Sequence, residues 1–306
     1  RSLAMSLRAV VIANFVQACS WQVDQAPEPG ETRRALGFHS EAGGKGLNVA
    51  IGLQRLGVQV TPILAHGQDS AGEQLRSLLQ AEGLDLRHVH ALPMASGWGA
   101  GLIERNGQNR IAVFPGANDH LSPAHVRLAH AAIAQAQLVY GQFEVSLAAT
   151  TEALVLAHAA GVRTVLNPSP WQALPQALRE VVHTHLVNES EAAELLGLDV
   201  PALLAMPTGL AALQARLARH HAFWLTHPGA QRVIITLGAM GSLAWLRDQP
   251  VTWHCAAYPS TGTGDTVGCG DAFAAGFCWA ETQGHGLQQA LQLGNRCGAH
   301  LASHRG

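Results

Sequence analysis

The chain has 306 residues, 48% of them hydrophobic and 13% charged, with a formal net charge of −2. So apolar and weakly charged a sequence is not a disordered one, and the near-neutral balance excludes nucleic acid or another polyanion as the default partner. Eighteen of the basic residues are arginine and one, Lys45, is lysine.

In chain order, short apolar or β-branched runs alternate with longer alanine- and leucine-rich stretches. Strands are expected at Ala9–Ile12, Val58–Leu64, Leu138–Tyr140, Thr164–Leu166, His185–Val187 and Val233–Leu237. Helices are expected at Asn48–Leu56, Gly72–Glu82, Pro123–Ala136, Leu147–Ala160 and Glu189–Leu196. This alternation predicts an α/β chain with a parallel sheet covered by helices on both faces and a ligand beyond the carboxyl ends of the strands. Gly30–Ser40 and Gly97–Phe114 break the pattern, the second with an Asn106-Gly107 turn. They read equally well as a small lid or as an extension of the main sheet.

Five cysteines (19, 255, 269, 278, 297) form no CxxC pair, so neither a disulfide framework nor a zinc site is expected. The first apolar run is too short to span a bilayer, and the reading is a cytoplasmic protein with no membrane partner. His183/His185, His88/His90 and His300/His304 have ligand-like spacing but no third ligand in sequence.

Two glycine-rich segments carry chemistry. Ala42-Gly43-Gly44-Lys45-Gly46-Leu47-Asn48 opens a helix; its glycines free the backbone to approach a ligand, and the helix start is expected to offer unpaired N–H groups to an oxygen-rich one. It is not a P-loop, because His39 and Gly46 stand where that motif needs a glycine and a hydroxyl. Thr261 to Phe273, TGTGDTVGCGDAF, runs into an apolar helix. There Gly268, Cys269 and Gly270 present successive backbone N–H groups as an anion hole at a helix N-terminus. Asp271 follows in the first turn, placed to take a proton from a hydroxyl beside the anion. A carboxylate base next to an anion hole suits phosphoryl transfer to an alcohol. Glu191, three residues after Asn188, could hold magnesium, although a capping box explains the same spacing. Thr236–Gly241 follows a β-branched strand and could lie along a polyphosphate. No GxGxxG follows the first strand, which disfavours a nicotinamide dehydrogenase.

Taken together, GGKGLNVAIGLQRLG, GAND (116–119), NPSP (167–170), NESEAAELLG (188–197), TLGAMG (236–241) and DTVGCGDAFAAGF resemble, in order, the ribokinase/PfkB family of carbohydrate kinases. The resemblance implies a three-layer α/β/α sandwich with a mostly parallel sheet and a small β-lid, here at about 30–41 and 97–115. It implies an ATP- and magnesium-dependent kinase, with Asp271 as general base and Gly268, Cys269 and Gly270 as the anion hole. It places Asn188, Thr236, Gly238 and Gly241 along the nucleotide, Asn295 at the adenine and Glu191 near the magnesium. Gly44, Lys45, Asn48 and Glu144 face the acceptor. Asp265 and the Val267 carbonyl match positions that hold a monovalent cation, so potassium is a further implied cofactor, and a homodimer through the lid an implied assembly.

One departure bears on the acceptor. Counting back without gaps from PGE (29–31), Ala18 stands where the family commonly has an Asp that grips two sugar hydroxyls, leaving Gln17, Trp21 or Asp24 as substitutes. GGKGLN is also similar to the fructose 1-phosphate and tagatose 6-phosphate kinases, but YGQFEVSL (140–147) carries no basic residue for a sugar phosphate. The expected acceptor is therefore a small unphosphorylated sugar. A nucleoside stacked on Trp21 or Trp98 is the second reading, and a regulatory protein that binds sugar or nucleotide without chemistry the third.

Overall fold

Strands such as Ala-Val-Val-Ile are apolar on both faces, and only a sheet covered on both sides can bury them. The computed structural model, which describes residues 7–106, 108–249, 251–259 and 267–304, arranges them that way. Seven parallel strands are β1 (Arg8–Ile12), β4 (Gln59–Gly67), β5 (Val89–Leu92), β8 (Leu138–Gln142), β9 (Arg163–Asn167), β10 (Thr184–Val187) and β11 (Arg232–Thr236). β12 (Ser242–Leu246) and β13 (Trp253–Cys255) add antiparallel strands, giving the order β13-β12-β11-β10-β9-β8-β1-β4-β5.

Each strand alternates between two cores. Val10, Ile12, Val139, Val233 and Ile235 pack on one side beneath α3 (Pro123–Leu128), α4 (His130–Gln135), α5 (Leu147–Ala159), α6 (Gln176–Val181) and the four helices α7 (Glu189–Leu196), α8 (Val200–Leu204), α9 (Gly209–Leu217) and α10 (Ala222–Thr226). Ala9, Val11, Tyr140 and Ile234 pack on the other beneath α1 (Lys45–Arg55), α2 (Ser70–Ala81), α11 (Cys269–Thr282) and α12 (Leu287–Ser303). This is the three-layer α/β/α arrangement expected. The expected helix 123–136 is interrupted at Ala129, which closes α3 and opens α4.

A second, four-stranded sheet has the order β3-β2-β6-β7, from β2 (Val16–Val23), β3 (Gly37–Gly43), β6 (Gly97–Glu104) and β7 (Asn109–Phe114). The two irregular stretches of the sequence therefore form a sheet of their own and do not extend the main one. Two details differ from expectation. Residues 30–36 are not strand, and β2, an inner strand, was not foreseen. Its faces read Val16-Ala18-Ser20 and Gln17-Cys19-Trp21; neither is apolar throughout, so VQACSWQV carries no period-2 signal.

The histidines do not assemble a metal centre: no group of three metal-ligating side chains is arranged to hold an ion among the described residues. His185 instead lies fully buried on β10 against Phe223 and His227, both ring nitrogens without a hydrogen-bond partner among the described residues. Burial, with His227 adding to it, pulls its pKa down to about 3; burial likewise lowers His90 and His183 to about 4. An unfolded histidine takes up its proton near pH 6.5. The fold therefore loses stability as pH falls below about 6.5, because the unfolded chain binds protons that the native one refuses. His185→Leu is expected to flatten the decline of Tm between pH 6.5 and 4 by about one proton's worth, and an unchanged slope would count against this account.

Candidate active site

The carboxyl ends of β1, β8, β9, β10 and β11 open on one edge of the sheet, and the side chains that follow them converge there. α1 and α11 lie side by side on one face, so close that a methyl group on Gly52 would come within 2.8 Å of the Ala275 side chain. This contact brings Asn48, on α1, to Asp271, 223 residues later, and Asn48 Nδ2 donates to Asp271 Oδ2 at 2.8 Å.

Gly268 caps α11 at φ 79°, a left-handed conformation suited to glycine, and Cys269, Gly270 and Asp271 form the first turn. First-turn amides have no acceptor within their own helix and lend their end a partial positive charge. Asp271 sits among them, partly exposed. Burial pushes its carboxyl up to about 6, against the opposing pulls of the Asn48 hydrogen bond and the Lys45 charge and with the added push of Glu144 and Glu191. Tyr140, fully buried on β8, lies within reach of the same charges, and burial with the Asp271 charge drives its phenol well above the usual value.

The start of α1 is built differently from the expectation of amides open to a ligand. Lys45 N–H donates to Glu144 Oε2 at 3.1 Å, and Gly46 N–H donates to Asn14 Oδ1 at 3.0 Å. Asn14 Nδ2 then donates to Glu144 Oε2 at 2.7 Å, and the Glu144 amide is held by Gln142 Oε1. Gly44 must be glycine, because its φ is 132° and a Cβ would stand 2.4 Å from the Asn14 carbonyl oxygen. The double glycine thus lets the chain pass over Asn14, and Lys45 is left partly exposed with its charge acting on Asp271.

Around this centre, Asn188 and Glu191 form the capping box. Asn188 Oδ1 accepts from Glu191 N, and Glu191 Oε2 accepts from Asn188 N at 3.0 Å and from Asn167 Nδ2 at 3.2 Å. Glu191 Oε1 takes no hydrogen bond among the described residues. Thr236 ends β11, and Gly238 and Gly241, at φ 54° and 94°, shape the turn into β12. Asn295 is buried and spends its amide on the carbonyls of Cys255 and Ala256, fixing the chain after β13. Val267 is 80% exposed just before the α11 cap, while Asp265 lies outside the described residues.

In the small sheet the candidate acceptor residues make local contacts. Gln17 is buried with its amide on Ser40 Oγ, Trp21 packs on Phe38, and Asp24 pairs with Arg105 at the surface. Ala18 pairs with Glu41 and Gly99 within the sheet, on the face opposite Gln17. Sequence reasoning missed Asn14, Gln142 and Asn167. Asn14 and Asn167 sit at or just beyond the carboxyl end of a strand, and that position was the available signal.

A partly exposed carboxylate with a raised pKa, beside a helix N-terminus at the carboxyl edge of a parallel sheet, is an arrangement that suits an α/β phosphotransferase. More narrowly, the chain belongs to the pfkB family of carbohydrate kinases, whose profile matches residues 8–306. It is 30% identical over 282 residues to the ribokinase of Haemophilus influenzae, covering 91% of this chain and 87% of that one. It is 29% identical over 292 residues to the deoxyribokinase of Salmonella typhi, covering 93% and 88%. The structure of Arabidopsis thaliana ribokinase complexed with ribose and ATP matches with a TM-score of 0.84 at 22% identity, over 99% of this chain and 94% of that one, a likeness of fold. The protein is a ribokinase-like carbohydrate kinase. Among the described residues no helix is long and apolar enough to cross a membrane.

Proposed function

We propose that the protein transfers the γ-phosphoryl group of ATP to a hydroxyl of a small unphosphorylated sugar. The observation that carries this is Asp271: a carboxylate with its pKa lifted to about 6, held by Asn48 in the first turn of α11. In this reading Asp271 takes the acceptor's hydroxyl proton, the acceptor oxygen bonds to the γ-phosphorus, and the bond from that phosphorus to the β–γ bridging oxygen breaks, releasing ADP. The amides of Gly268, Cys269 and Gly270 face the charge that builds on the transferred group. ATP lies along Asn188 and Thr236–Gly241, with its adenine toward the segment that Asn295 holds. The unengaged Glu191 Oε1 fits a hydrated magnesium ion, which would neutralise phosphate charge. Val267, together with Asp265, is the proposed place for potassium.

The acceptor is proposed to lie beside Lys45, Asn48, Glu144 and Gly44 beneath the small sheet, which acts as a lid. Ala18, where the family commonly has its clamp carboxylate, suits an acceptor needing no clamp on two neighbouring hydroxyls, such as a deoxy sugar. The deoxyribokinase relative supports including one. Phe38 and Phe114, 61% and 57% exposed, share one lid face by register, and we propose that a second copy covers them. Sedimentation of the full chain as a monomer would end that proposal.

The test of function is ADP release with magnesium and ATP across pentoses, deoxypentoses, hexoses and nucleosides. Turnover of a sugar is expected; turnover of nucleosides alone selects the second reading, and ATP binding without any turnover selects the regulatory one. Lys45→Ala is expected to raise the acceptor KM roughly tenfold, the worth of one charge-assisted hydrogen bond, with the ATP KM within about twofold. The opposite pattern would move Lys45 to the nucleotide side.

A further inference from the structure

The GAND segment has no part in the chemistry above, yet its Asn118 is 1% exposed and fully engaged. Asn118 Oδ1 accepts from Phe15 N–H at 2.9 Å. Its two amide hydrogens go to the Phe15 carbonyl at 2.7 Å and the Pro115 carbonyl at 2.8 Å. Phe15 is the residue before β2, and Pro115 the residue after β7. The first residue of β6 also passes here, for a Cβ on Gly97 would stand 2.5 Å from Asn118 Nδ2. One carboxamide therefore touches the roots of three of the four strands of the small sheet.

The root of β6 has a second tie. Buried Ser96 donates its N–H to Asp69 Oδ2 and its hydroxyl to Asp69 Oδ1, both at 2.7 Å, while Ser96 Oγ accepts from Gly67 N–H at 2.9 Å. Asp69 also caps α2 through Gly72 N–H. Beyond these roots the sheet stands away from the body, and every residue of β7 is exposed. A sheet held at its base takes its angle from that base.

The base adjoins the acceptor cluster. Phe15 follows Asn14, which holds Glu144 and the Gly46 amide, and β3 runs through Gly43 directly into Gly44 and Lys45. We propose that Asn118, seconded by Asp69, is a positioning residue for phosphoryl transfer: by fixing Phe15 to Pro115 it sets both the pose of the small sheet and the placement of Asn14 against Glu144. This rests on the reading that the acceptor lies between Asp271 and that sheet.

Asn118→Asp is the sharpest variant. It keeps the size and shape but sets a carboxylate oxygen against the two carbonyls, so the ties to Phe15 and Pro115 are lost without a change of volume. Two measurements on the full chain separate the questions. In hydrogen exchange, peptides covering 16–23 and 97–104 are expected to exchange roughly tenfold faster or more, while peptides from β8 and β11 keep wild-type protection. In kinetics, the acceptor KM is expected to rise roughly tenfold, the ATP KM to stay within about twofold, and kcat to fall less than the acceptor KM rises. Asp69→Asn should shift the same quantities in the same direction.

Unchanged exchange in the small sheet overturns the proposal, whether or not an acceptor has been found. Faster exchange with an unchanged acceptor KM, or with both KM values rising together, overturns it as well. If the wild type phosphorylates nothing, the functional reading fails, while exchange still decides whether Asn118 holds the sheet.

Discussion

Asp271→Asn is expected to lower kcat by roughly 10²–10⁴, the range for losing a general base, while ATP still binds. Asparagine keeps the shape and can still pair with Asn48, but it cannot accept the acceptor's proton. The same residue sets the pH dependence. The carboxylate is the active form and its pKa is about 6, so kcat/KM should climb with pH through about 6 and level off above 7. Asn48→Leu and Lys45→Ala each remove a group that favours the charged form, so both should move this limb to higher pH; Glu144→Gln should move it lower. The stability of the variant gives an independent check. A carboxyl raised from 3.8 when unfolded to about 6 when folded contributes stability that is full below pH 3.8 and lost as pH rises through 6. Asp271→Asn should therefore be more stable than the wild type at pH 8, by about 1–3 kcal/mol, with that gain absent at pH 4. A variant near full activity, or one that loses both activity and Tm at pH 8, would contradict this assignment.

What was legible in the sequence is what lies contiguous in it. The α/β layering was readable because each parallel strand is apolar on both faces, as in Val10-Val11-Ile12 and Val233-Ile234-Ile235, and each spans both cores. The start of α11 was readable because Gly268 to Asp271 compress cap, amides and carboxylate into one turn. Contacts made across the fold were not. Nothing in GGKGLN says that Asn48 reaches a carboxylate 223 residues later, or that Asn14 and Glu144 occupy the amides that the double glycine seemed to open. β2 escaped because Gln17 and Trp21 share one face and Val16 and Ser20 the other, which hides a strand of mixed polarity. Glu191 shows a third case. Its spacing from Asn188 announced the capping box, which is what its backbone and Oε2 do, and the spacing could not tell that Oε1 stays unengaged.

α11 also carries the second large effect, at its other end. Glu281 lies in the last turn of the helix with its carboxylate 2% exposed, and both Arg163 and Arg232 bond to the same oxygen, Oε2. The arginines begin β9 and β11, so the cluster sits at the amino edge of the sheet, at the other end of α11 from Asp271. Arg232 is the deeper, with its side chain 12% exposed, its Nε on Thr184 Oγ1 at 2.9 Å and its guanidinium over the Phe277 ring. Burial pulls its pKa down, opposed by the charge of Glu281. Removing one partner of such a pair leaves a buried charge uncompensated, which costs about 3–5 kcal/mol. Glu281→Ala should therefore lower Tm by about 5–10 °C in a chain of this size. Arg163, at 41% exposure, can turn to water, but Arg232 cannot. Adding Arg232→Leu to Glu281→Met should for that reason recover most of the loss, because an apolar pair of similar volume has no charge to desolvate. A Glu281→Ala shift under about 2 °C would mean that water reaches Arg232. Glu281 and Asp271 are ten residues apart on one helix, about 15 Å along its axis, so removing Glu281 should leave kcat at 25 °C unchanged. A fall in kcat together with Tm would instead mean that the arginine cluster holds α11 in the register that presents Asp271.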